Sequence, residues 1–581
     1  MSFDLQSLVF FSTIYLFFLF LCASLTEKGI IAQKIVRHPA VYVLSLGVYA
    51  SSWAYYGSIG VAHDTGYFFL AFYFGLSGAF LLAPILLSPI LKIIQNYQLG
   101  SLADLFAFRF RSPAAGTLST LLLLFTVMPL LALQIQAVSD SIHLISQQSS
   151  PETLAIGFCV LVTLFAMLFG TRPITSRDHH QGLVFAVAIA SLLKLVVMLV
   201  LGGVILFQVF GGSDGLEQWL NINSSNIVNM STALEDGPWR TTLLMFFASA
   251  IVMPHMFHMT FTENRDSSAL HVASWGLPLF LLLLSLSAPL ILWGGLALGV
   301  DMPPEYFPLA IGQVLDIPLL TMSVYLGGLS AASGLIIVTT LALSSMLLNH
   351  VILPWYHPAG LTRMPVSIYR RLTWLKRLLI AALIMASYGF YRLLDSGQDL
   401  HSLSIVAYVG ALQLLPGALC TLYWKRANSK GFITGLLAGT LVWFVTLMLP
   451  LALGSGEHFQ DFLPLFHSSS FISDNWYFAA TSSLLVNTLV FFIISSTTRM
   501  REVEQRAAGS CLVQSVPINN HSVPKAASAI EFQEVLCTPL GSQAARKEVE
   551  KALSELKMRA DERRPHALAR LRDKIARIFH K

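Results

Sequence analysis

Three stretches of this sequence place hydroxyl, imidazole and small residues inside long apolar runs. Residues 49–60 read YASSWAYYGSIG, residues 245–259 read MFFASAIVMPHMFHM, and residues 325–334 read YLGGLSAASG. Serine hydroxyls and backbone carbonyls supply the hard oxygen ligands that cations such as sodium prefer. These residue types indicate a binding site, whereas the serines and histidines show no pairing of nucleophile and base that would indicate catalysis.

The first stretch combines residues that loosen a helix with residues that replace its lost hydrogen bonds. Inside a membrane, a helix is interrupted only where the freed backbone groups face protein, an ion or a water-filled cavity. Close packing between helices also uses small residues, so both interpretations are open for this stretch alone. The residues concerned are Gly47, Ser51, Ser52, Gly57, Ser58 and Gly60.

The other two stretches each allow a site and a structural interpretation. Pro254 lies inside an apolar run, and His255 and His258 follow it one turn apart. A lone buried histidine is usually a core residue, but its place directly after an intramembrane proline favours a site. In the third stretch the hydroxyls of Ser330 and Ser333 are candidate sodium ligands, with a packing stripe of glycine and serine as the alternative.

A few strongly polar side chains also lie at membrane depth. Lys194, in the run IASLLKLVVML, is about a third of the way through an apolar segment. An intramembrane lysine indicates a functional group by default, here a candidate coupling charge, and snorkelling or a structural pair is the alternative. Gln134 and Gln136 lie in another apolar run, with Asp140 one turn further along.

The composition requires a membrane to position these residues. The chain has 581 residues, of which 55% are hydrophobic and 12% charged, whereas a soluble domain carries about 25% charged residues. It is therefore expected to be an all-α polytopic membrane protein without a nucleic-acid partner. Windows of about 20 apolar residues predict thirteen spans. These are 7–26, 40–61, 68–91, 116–142, 152–170, 182–210, 241–259, 274–299, 318–349, 374–394, 402–423, 431–453 and 475–497.

Charge and composition predict the orientation and the division of the chain. Basic residues concentrate in the loops that follow odd-numbered spans, which places the N-terminus outside and the C-terminus in the cytoplasm. We expect a transmembrane domain over residues 1–497, a linker over 498–525 and a small helical cytoplasmic domain over 526–581. The five cysteines show no metal-ligand spacing, so no cofactor and no metal other than sodium is expected.

The interruptions in the second and seventh spans are five spans apart. Paired interruptions at corresponding positions of two halves are typical of transporters with inverted repeats, in which broken helices form a site near the middle of the membrane. The predicted repeats cover about residues 40–210 and 241–423.

Several motifs resemble the sodium:solute symporter family. YWKRANSKGFITGLLAG, at residues 423–439, fits the pattern W-[KR]-R-x(4)-G-x(3)-G-L-x-x-G near the end of that family's core. YVLSLGVYASSWAYYGSIG, MPHMFHMTFTEN and GGLSAASGLIIVTTLALSSMLLN are similar to the symporter module at the N-terminus of CbrA-type sensor histidine kinases, and the resemblance runs from about residue 7 to 497. The tail, with IEFQEVLCTPLGSQAARKEVEKAL, resembles the helical STAC domain of such kinases.

The resemblance implies a LeuT-like fold with two inverted repeats of five helices, and it implies specific site residues. Sodium would bind the carbonyls of Gly47 and Ala50 and the hydroxyls of Ser330 and Ser333. The solute would contact Ser52, Trp53, Tyr56, Gln134 and the region of His255. Two departures stand out, because the family's hydroxyl pair is adjacent whereas Ala331 and Ala332 separate it here, and because Tyr49 replaces the acidic residue of proline-transporting members.

Two functions follow from this resemblance. The first is sodium-coupled symport of a small organic solute, an amino acid such as histidine, across a bacterial-type cytoplasmic (inner) membrane. The second is a sensory module that binds the solute and signals through its STAC-like tail to a histidine kinase of a two-component system. Both need the site, but only transport releases the solute on the far side. Neither is an enzymatic activity, and the chain contains no kinase motif.

Overall fold

The computed structural model of the chain is helical, and the residues that it describes form no strand. Those residues are 3–146, 150–169, 180–223, 228–231, 234–264, 267–355, 366–393, 400–453, 476–512, 542–556, 558 and 571. By internal packing the chain divides into two units, Met1–Val516 and Pro517–Lys581. The first unit contains all the predicted spans.

The helices of the first unit are numbered here in chain order. The first ten are α1 (Leu5–Glu27), α2 (Gln33–Val36), α3 (Pro39–Leu46), α4 (Ser58–Thr65), α5 (Leu70–Leu81), α6 (Leu87–Tyr97), α7 (Leu102–Phe110), α8 (Pro113–Ser146), α9 (Pro151–Phe169) and α10 (Gln181–Val204). The next nine are α11 (Ser213–Ile222), α12 (Val228–Ser231), α13 (Asp236–Val252), α14 (Pro254–Phe257), α15 (Ser267–Ala297), α16 (Phe307–Val314), α17 (Pro318–Leu347), α18 (Leu353–Trp355) and α19 (Val366–Leu393). The unit ends with α20 (Leu400–Leu412), α21 (Leu415–Tyr423), α22 (Ser429–Trp443), α23 (Leu449–Leu453), α24 (Trp476–Thr497) and α25 (Glu502–Cys511).

The apolar helices confirm a polytopic membrane protein. Within the described residues, ten helices are long and apolar enough to cross a membrane, or eleven when the bent pair Asp236–Val252 and Pro254–Thr262 is one span. The remaining two predicted spans, 40–61 and 68–91, are divided into shorter helices. The count of thirteen spans therefore stays a prediction.

The second predicted span is interrupted where its sequence is rich in glycine and serine. After α3, the backbone tightens into a 3₁₀ turn at Gly47–Tyr49 and leaves helical geometry at Ala50, whose ψ is 78°. A π-helical turn at Trp53–Gly57 then leads into α4. The prediction of an interruption in YASSWAYYGSIG is confirmed.

The seventh predicted span is also broken, at the residue before its proline. Proline lacks an N–H and disfavours helical geometry in the residue that precedes it. Met253 is accordingly extended, with φ −76° and ψ 130°, and α14 starts at Pro254 with a bend of 49° between the two halves. A π-helical turn at His258–Thr262 follows. This predicted interruption is confirmed as well.

The two breaks lie together in the centre of the first unit. The turn Gly47–Tyr49 contacts α10, α14, α15 and α17, and the turn Trp53–Gly57 contacts α8, α17 and α20. Trp53 and Tyr49 are among the largest fully buried side chains of the described chain. The long helices therefore enclose both interrupted segments and exclude solvent from them.

In contrast to those segments, α17 passes the centre without a break. A Cβ on Gly327 would lie 2.2 Å from the Tyr55 hydroxyl, and a Cβ on Gly328 would lie 2.0 Å from the Tyr56 hydroxyl. These two glycines therefore admit tyrosine side chains from the broken span. For these two glycines the structure agrees with close packing between helices, which was the alternative to a binding site.

Part of the polar segment over 498–525, which the sequence predicts to be a linker, is helical. Residues Glu502–Cys511 form α25, which packs against α7 and α21 and buries Ala507, Ala508 and Cys511, because these small residues fall on one face. The Glu504 carboxylate accepts a hydrogen bond from the backbone N–H of Ser429. Residues 513–541, which include the rest of that linker, lie outside the described residues.

The second unit is described only in part. Its helix α26 (Ser542–Leu556) contributes Val549, Ala552 and Leu553 to a small apolar cluster with Leu571. Helical character in the tail agrees with the sequence, and its division into a linker and a STAC-like domain stays a prediction.

Gly327→Ala tests the close contact between α17 and the broken span. The new methyl group would meet the Tyr55 ring, whose hydroxyl donates to the Val324 carbonyl at 3.1 Å, so we expect a loss of about 1–3 kcal/mol in stability. Thermal unfolding of the purified protein in detergent measures it. The matched control is Gly334→Ala on the same helix, where a Cβ meets nothing within 4 Å. Equal stability of the two variants would contradict the packing.

Candidate functional site

The breaks surround a buried positive charge. The Lys194 ammonium donates to the Gly47 carbonyl at 2.8 Å and to the Ala50 carbonyl at 2.7 Å, and the residue is only 2% exposed. A charge removed from water must be compensated by polar contacts. The interrupted segment supplies them, because the Gly47 carbonyl lies in the 3₁₀ turn and the Ala50 carbonyl follows it directly.

Gly47 allows α10 to approach this turn. A Cβ at Gly47 would lie 2.8 Å from both Cβ and Oγ of Ser191, which is one turn before Lys194 on α10. A larger residue would therefore separate the lysine from its acceptors. The sequence resemblance predicts that the carbonyls of Gly47 and Ala50 bind sodium. In the structure these carbonyls accept hydrogen bonds from Lys194.

The two candidate sodium hydroxyls lie on α17, which packs against both α10 and the 3₁₀ turn. Ser330 Oγ donates to the Ala190 carbonyl of α10 at 2.9 Å, and Ser333 Oγ donates to the Leu329 carbonyl at 2.7 Å. Both residues are fully buried. Ser330 thus ties α17 to the helix turn that carries Lys194.

A second group of predicted residues meets beside the turn. The Ser52 backbone N–H donates to Gln134 Oε1 at 3.0 Å, which joins the broken span to α8. Ser52 Oγ and Trp53 Nε1 are buried, and each has no hydrogen-bond partner within the described part of the chain. Buried polar atoms are normally paired, so these two are groups that a bound solute would satisfy.

An aromatic wall, which the sequence did not reveal, borders these groups. The Trp53 ring lies 4.4 Å from Phe72 and 5.7 Å from Phe246, and Tyr408 is 4.9 Å from Phe246. The Tyr408 hydroxyl is buried with no partner among the described residues. Aromatic residues are common in any apolar span, so no sequence signal distinguishes these three from ordinary core residues.

The other two predicted solute contacts lie elsewhere around the broken span. His255 is completely buried on α14, which contacts the turn Gly47–Tyr49, and neither ring nitrogen has a partner among the residues described. The Tyr56 ring lies 5.5 Å from Tyr306, and its hydroxyl faces Gly328 of α17. Tyr56 is therefore on the side of α17, away from the Trp53 aromatic wall.

A separate cluster at the end of the broken seventh span joins a carboxylate to two histidines. Glu263 accepts from the His180 backbone N–H and pairs with His180 Nδ1, both at 2.7 Å, and it lies 3.2 Å from His258 Nε2. Burial alone would raise the pKa of Glu263, but His180 and His258 hold it well below its usual range. The three ligand atoms lie within 4.8 Å of one another, which is close enough for a metal ion. The hydrogen bonds already satisfy the carboxylate without one.

No protein-family model matches the chain. Two curated relatives of Bacillus subtilis (strain 168) are named uncharacterized symporters. The chain is 22% identical to YhjB over 413 residues, which cover 70% of this chain and 80% of the relative. It is 23% identical to YodF over 385 residues, which cover 66% of this chain and 74% of that relative.

The fold is that of a solved transporter. The chain is similar to a Na⁺-coupled sialic acid symporter in a substrate-bound outward-open state, with a TM-score of 0.63 and 12% identity over 86% of this chain and 98% of the other. At that identity the likeness concerns the fold alone. It confirms the LeuT-like fold with two inverted repeats, while the sodium:solute symporter family and its CbrA-type subgroup stay predictions.

Glu263→Gln tests the cluster of Glu263 with His180 and His258. The carboxylate has a lowered pKa in the folded protein, so its stabilisation is present above the unfolded pKa of about 4.3 and is lost as the pH falls towards the folded value. We expect the variant to be less stable than the wild type by about 2 kcal/mol at neutral pH. Thermal unfolding measured at several pH values should show this difference shrinking below about pH 4.

The control for that experiment is Asp236→Asn, which removes a carboxylate whose ion pair with Arg240 is on the surface. Exposed pairs contribute little, so its unfolding temperature should stay near that of the wild type. A Glu263→Gln variant that behaves like this control at every pH would refute the pairing.

Proposed function

We propose that this chain is a symporter, which moves a small organic solute across the membrane together with a cation. The observation that carries the proposal is the buried Lys194 ammonium held by an interrupted helix, beside the polar atoms of Ser52 and Trp53, which have no hydrogen-bond partner among the described residues. The symporter names of the two relatives support the proposal, and they also favour transport over an enzymatic activity.

An amino acid is the solute class that we propose, with histidine as the first candidate. Ser52 Oγ, Trp53 Nε1 and the Tyr408 hydroxyl offer hydrogen bonds beside the rings of Phe72 and Phe246. This combination suits a solute with one flat or apolar end and one polar end. Preorganised contacts of both kinds are typical of small-molecule sites.

The cation position is the carbonyl pair of Gly47 and Ala50. Sodium is the ion that the sequence predicts there, and a Na⁺-coupled symporter has the same fold. The Lys194 ammonium is the cation that lies there in the structure. The proposal of symport requires a positive charge at this position whose binding differs between conformations, because a ligand with equal affinity for both states shifts no equilibrium.

The breaks provide the mechanism of alternating access. Each divides a span into two rigid halves, and the site lies between the halves. One side of the site opens when one set of helices rocks against the other. Solute and charge hold the broken segments together in the closed state, and release on the far side completes the cycle. The receptor function that the tail suggested has no comparable support and stays a prediction.

Uptake by proteoliposomes tests the proposed function. Purified protein is reconstituted, and accumulation of labelled histidine and of a panel of amino acids is measured under an inward sodium gradient and, separately, an inward proton gradient. Accumulation above the equilibrium level under either gradient is the expected result. Solute binding to the purified protein without accumulation would reject symport and favour a sensory module.

Ser52→Ala tests the solute site in the same assay. The hydroxyl has no partner in the described chain, so its removal should leave stability unchanged while the loss of one hydrogen bond to the solute raises KM by roughly fivefold. The control is Ser323→Ala, a partly exposed serine on α17 whose hydroxyl donates to the Leu319 carbonyl of its own helix. If Ser52→Ala transports like the control, Ser52 does not contact the solute.

A further inference from the structure

We propose that the Lys194 ammonium is the resident cation of the Gly47 and Ala50 carbonyl pair and excludes a free sodium ion from it. What this occupancy means for coupling rests on the proposed symport, but the occupancy of the carbonyl pair itself does not.

The geometry of the ammonium carries the proposal. Two of its three N–H groups donate to the carbonyls, at 2.8 and 2.7 Å, and these are the backbone oxygens that a hard cation at this break would need. The side chain reaches them from α10, where only a glycine at position 47 admits the neighbouring Ser191. The contact is therefore built into the packing of the helices.

A sodium ion and this ammonium cannot share the two oxygens. Both carry one positive charge. If both contacted the same two oxygens they would lie close together, and their repulsion in a buried site of low dielectric would be several times its value in water. Among the described residues, no carboxylate forms an ion pair with Lys194 that would offset a second charge. One cation at a time fits the position.

The surrounding hydroxyls agree with a tethered cation. Ser330 Oγ donates to Ala190 and Ser333 Oγ donates to Leu329, so both hydroxyl hydrogens bond helix carbonyls. Both serines lie on α17, which packs against the turn Gly47–Tyr49. Removal of the lysine side chain would leave the Gly47 and Ala50 carbonyls without their donor, and backbone carbonyls are neutral oxygens of the kind that sodium prefers.

Lys194→Ala provides the test, because it empties the position without adding a ligand. Thermal unfolding of wild type and variant is measured in sodium chloride and in choline chloride of equal ionic strength. A ligand that binds only the folded state raises the unfolding temperature. We expect sodium to raise that of Lys194→Ala by about 3 °C or more beyond any shift in the wild type. A shift equal to or smaller than that of the wild type would overturn the proposal.

Two further variants keep the result interpretable. Lys34→Ala removes an exposed lysine and should respond to sodium as the wild type does. Should Lys194→Ala fail to fold in either salt, Ser333→Ala in the otherwise native protein decides. Its sodium response should equal that of the wild type if the ammonium holds the site, and a reduced response would mean that sodium binds there and would overturn the proposal.

This measurement separates the inference from the proposed function. Unfolding reports occupancy of the carbonyl pair whether or not the protein transports. A supportive unfolding result with no accumulation in proteoliposomes would reject symport and leave the ammonium assignment standing. Accumulation in proteoliposomes together with a sodium response that Lys194→Ala leaves unchanged would support symport and overturn the ammonium assignment.

Discussion

The contact between the Lys194 ammonium and two backbone carbonyls is the interaction on which the centre of this protein depends. An ammonium far from water needs acceptors, and an intact helix has none to spare because its carbonyls are bonded within the helix. The second span therefore has to be interrupted where α10 passes it. The 3₁₀ turn at Gly47–Tyr49 and the non-helical backbone of Ala50, with ψ 78°, meet this requirement.

Other features of the centre follow from that contact. Gly47 lets α10 approach closely enough for Lys194 to reach the two carbonyls. Ser330 of α17 donates to the Ala190 carbonyl, one turn before Lys194 on α10. The second break, at Met253, places His255 beside the same segment. Ser52 and Trp53 continue the interrupted chain into the aromatic wall of Phe72, Phe246 and Tyr408. The charge and the proposed solute contacts thus share one interrupted segment of backbone.

The sequence predicted the features that depend on local residue types. Runs of apolar residues predicted the spans, and glycine, serine and proline inside them predicted both breaks. The predicted spans 40–61 and 68–91 are divided into shorter helices, so the length of an apolar run does not by itself give the number of membrane spans. Contacts between residues that are far apart in the sequence could not be predicted from it. Lys194 was recognised as a candidate coupling charge, but its acceptor Gly47 is 147 positions away, and only the packing of α10 on the broken span shows that the lysine and the predicted sodium ligands coincide.

A density map of the purified protein in sodium-containing buffer tests this central contact most directly. Determined by electron cryo-microscopy at a resolution that shows side chains, it should display continuous density from the Lys194 side chain to the carbonyls of Gly47 and Ala50. A separate ion peak bound by those carbonyls and by Ser330 and Ser333, with the lysine turned away, would contradict the account.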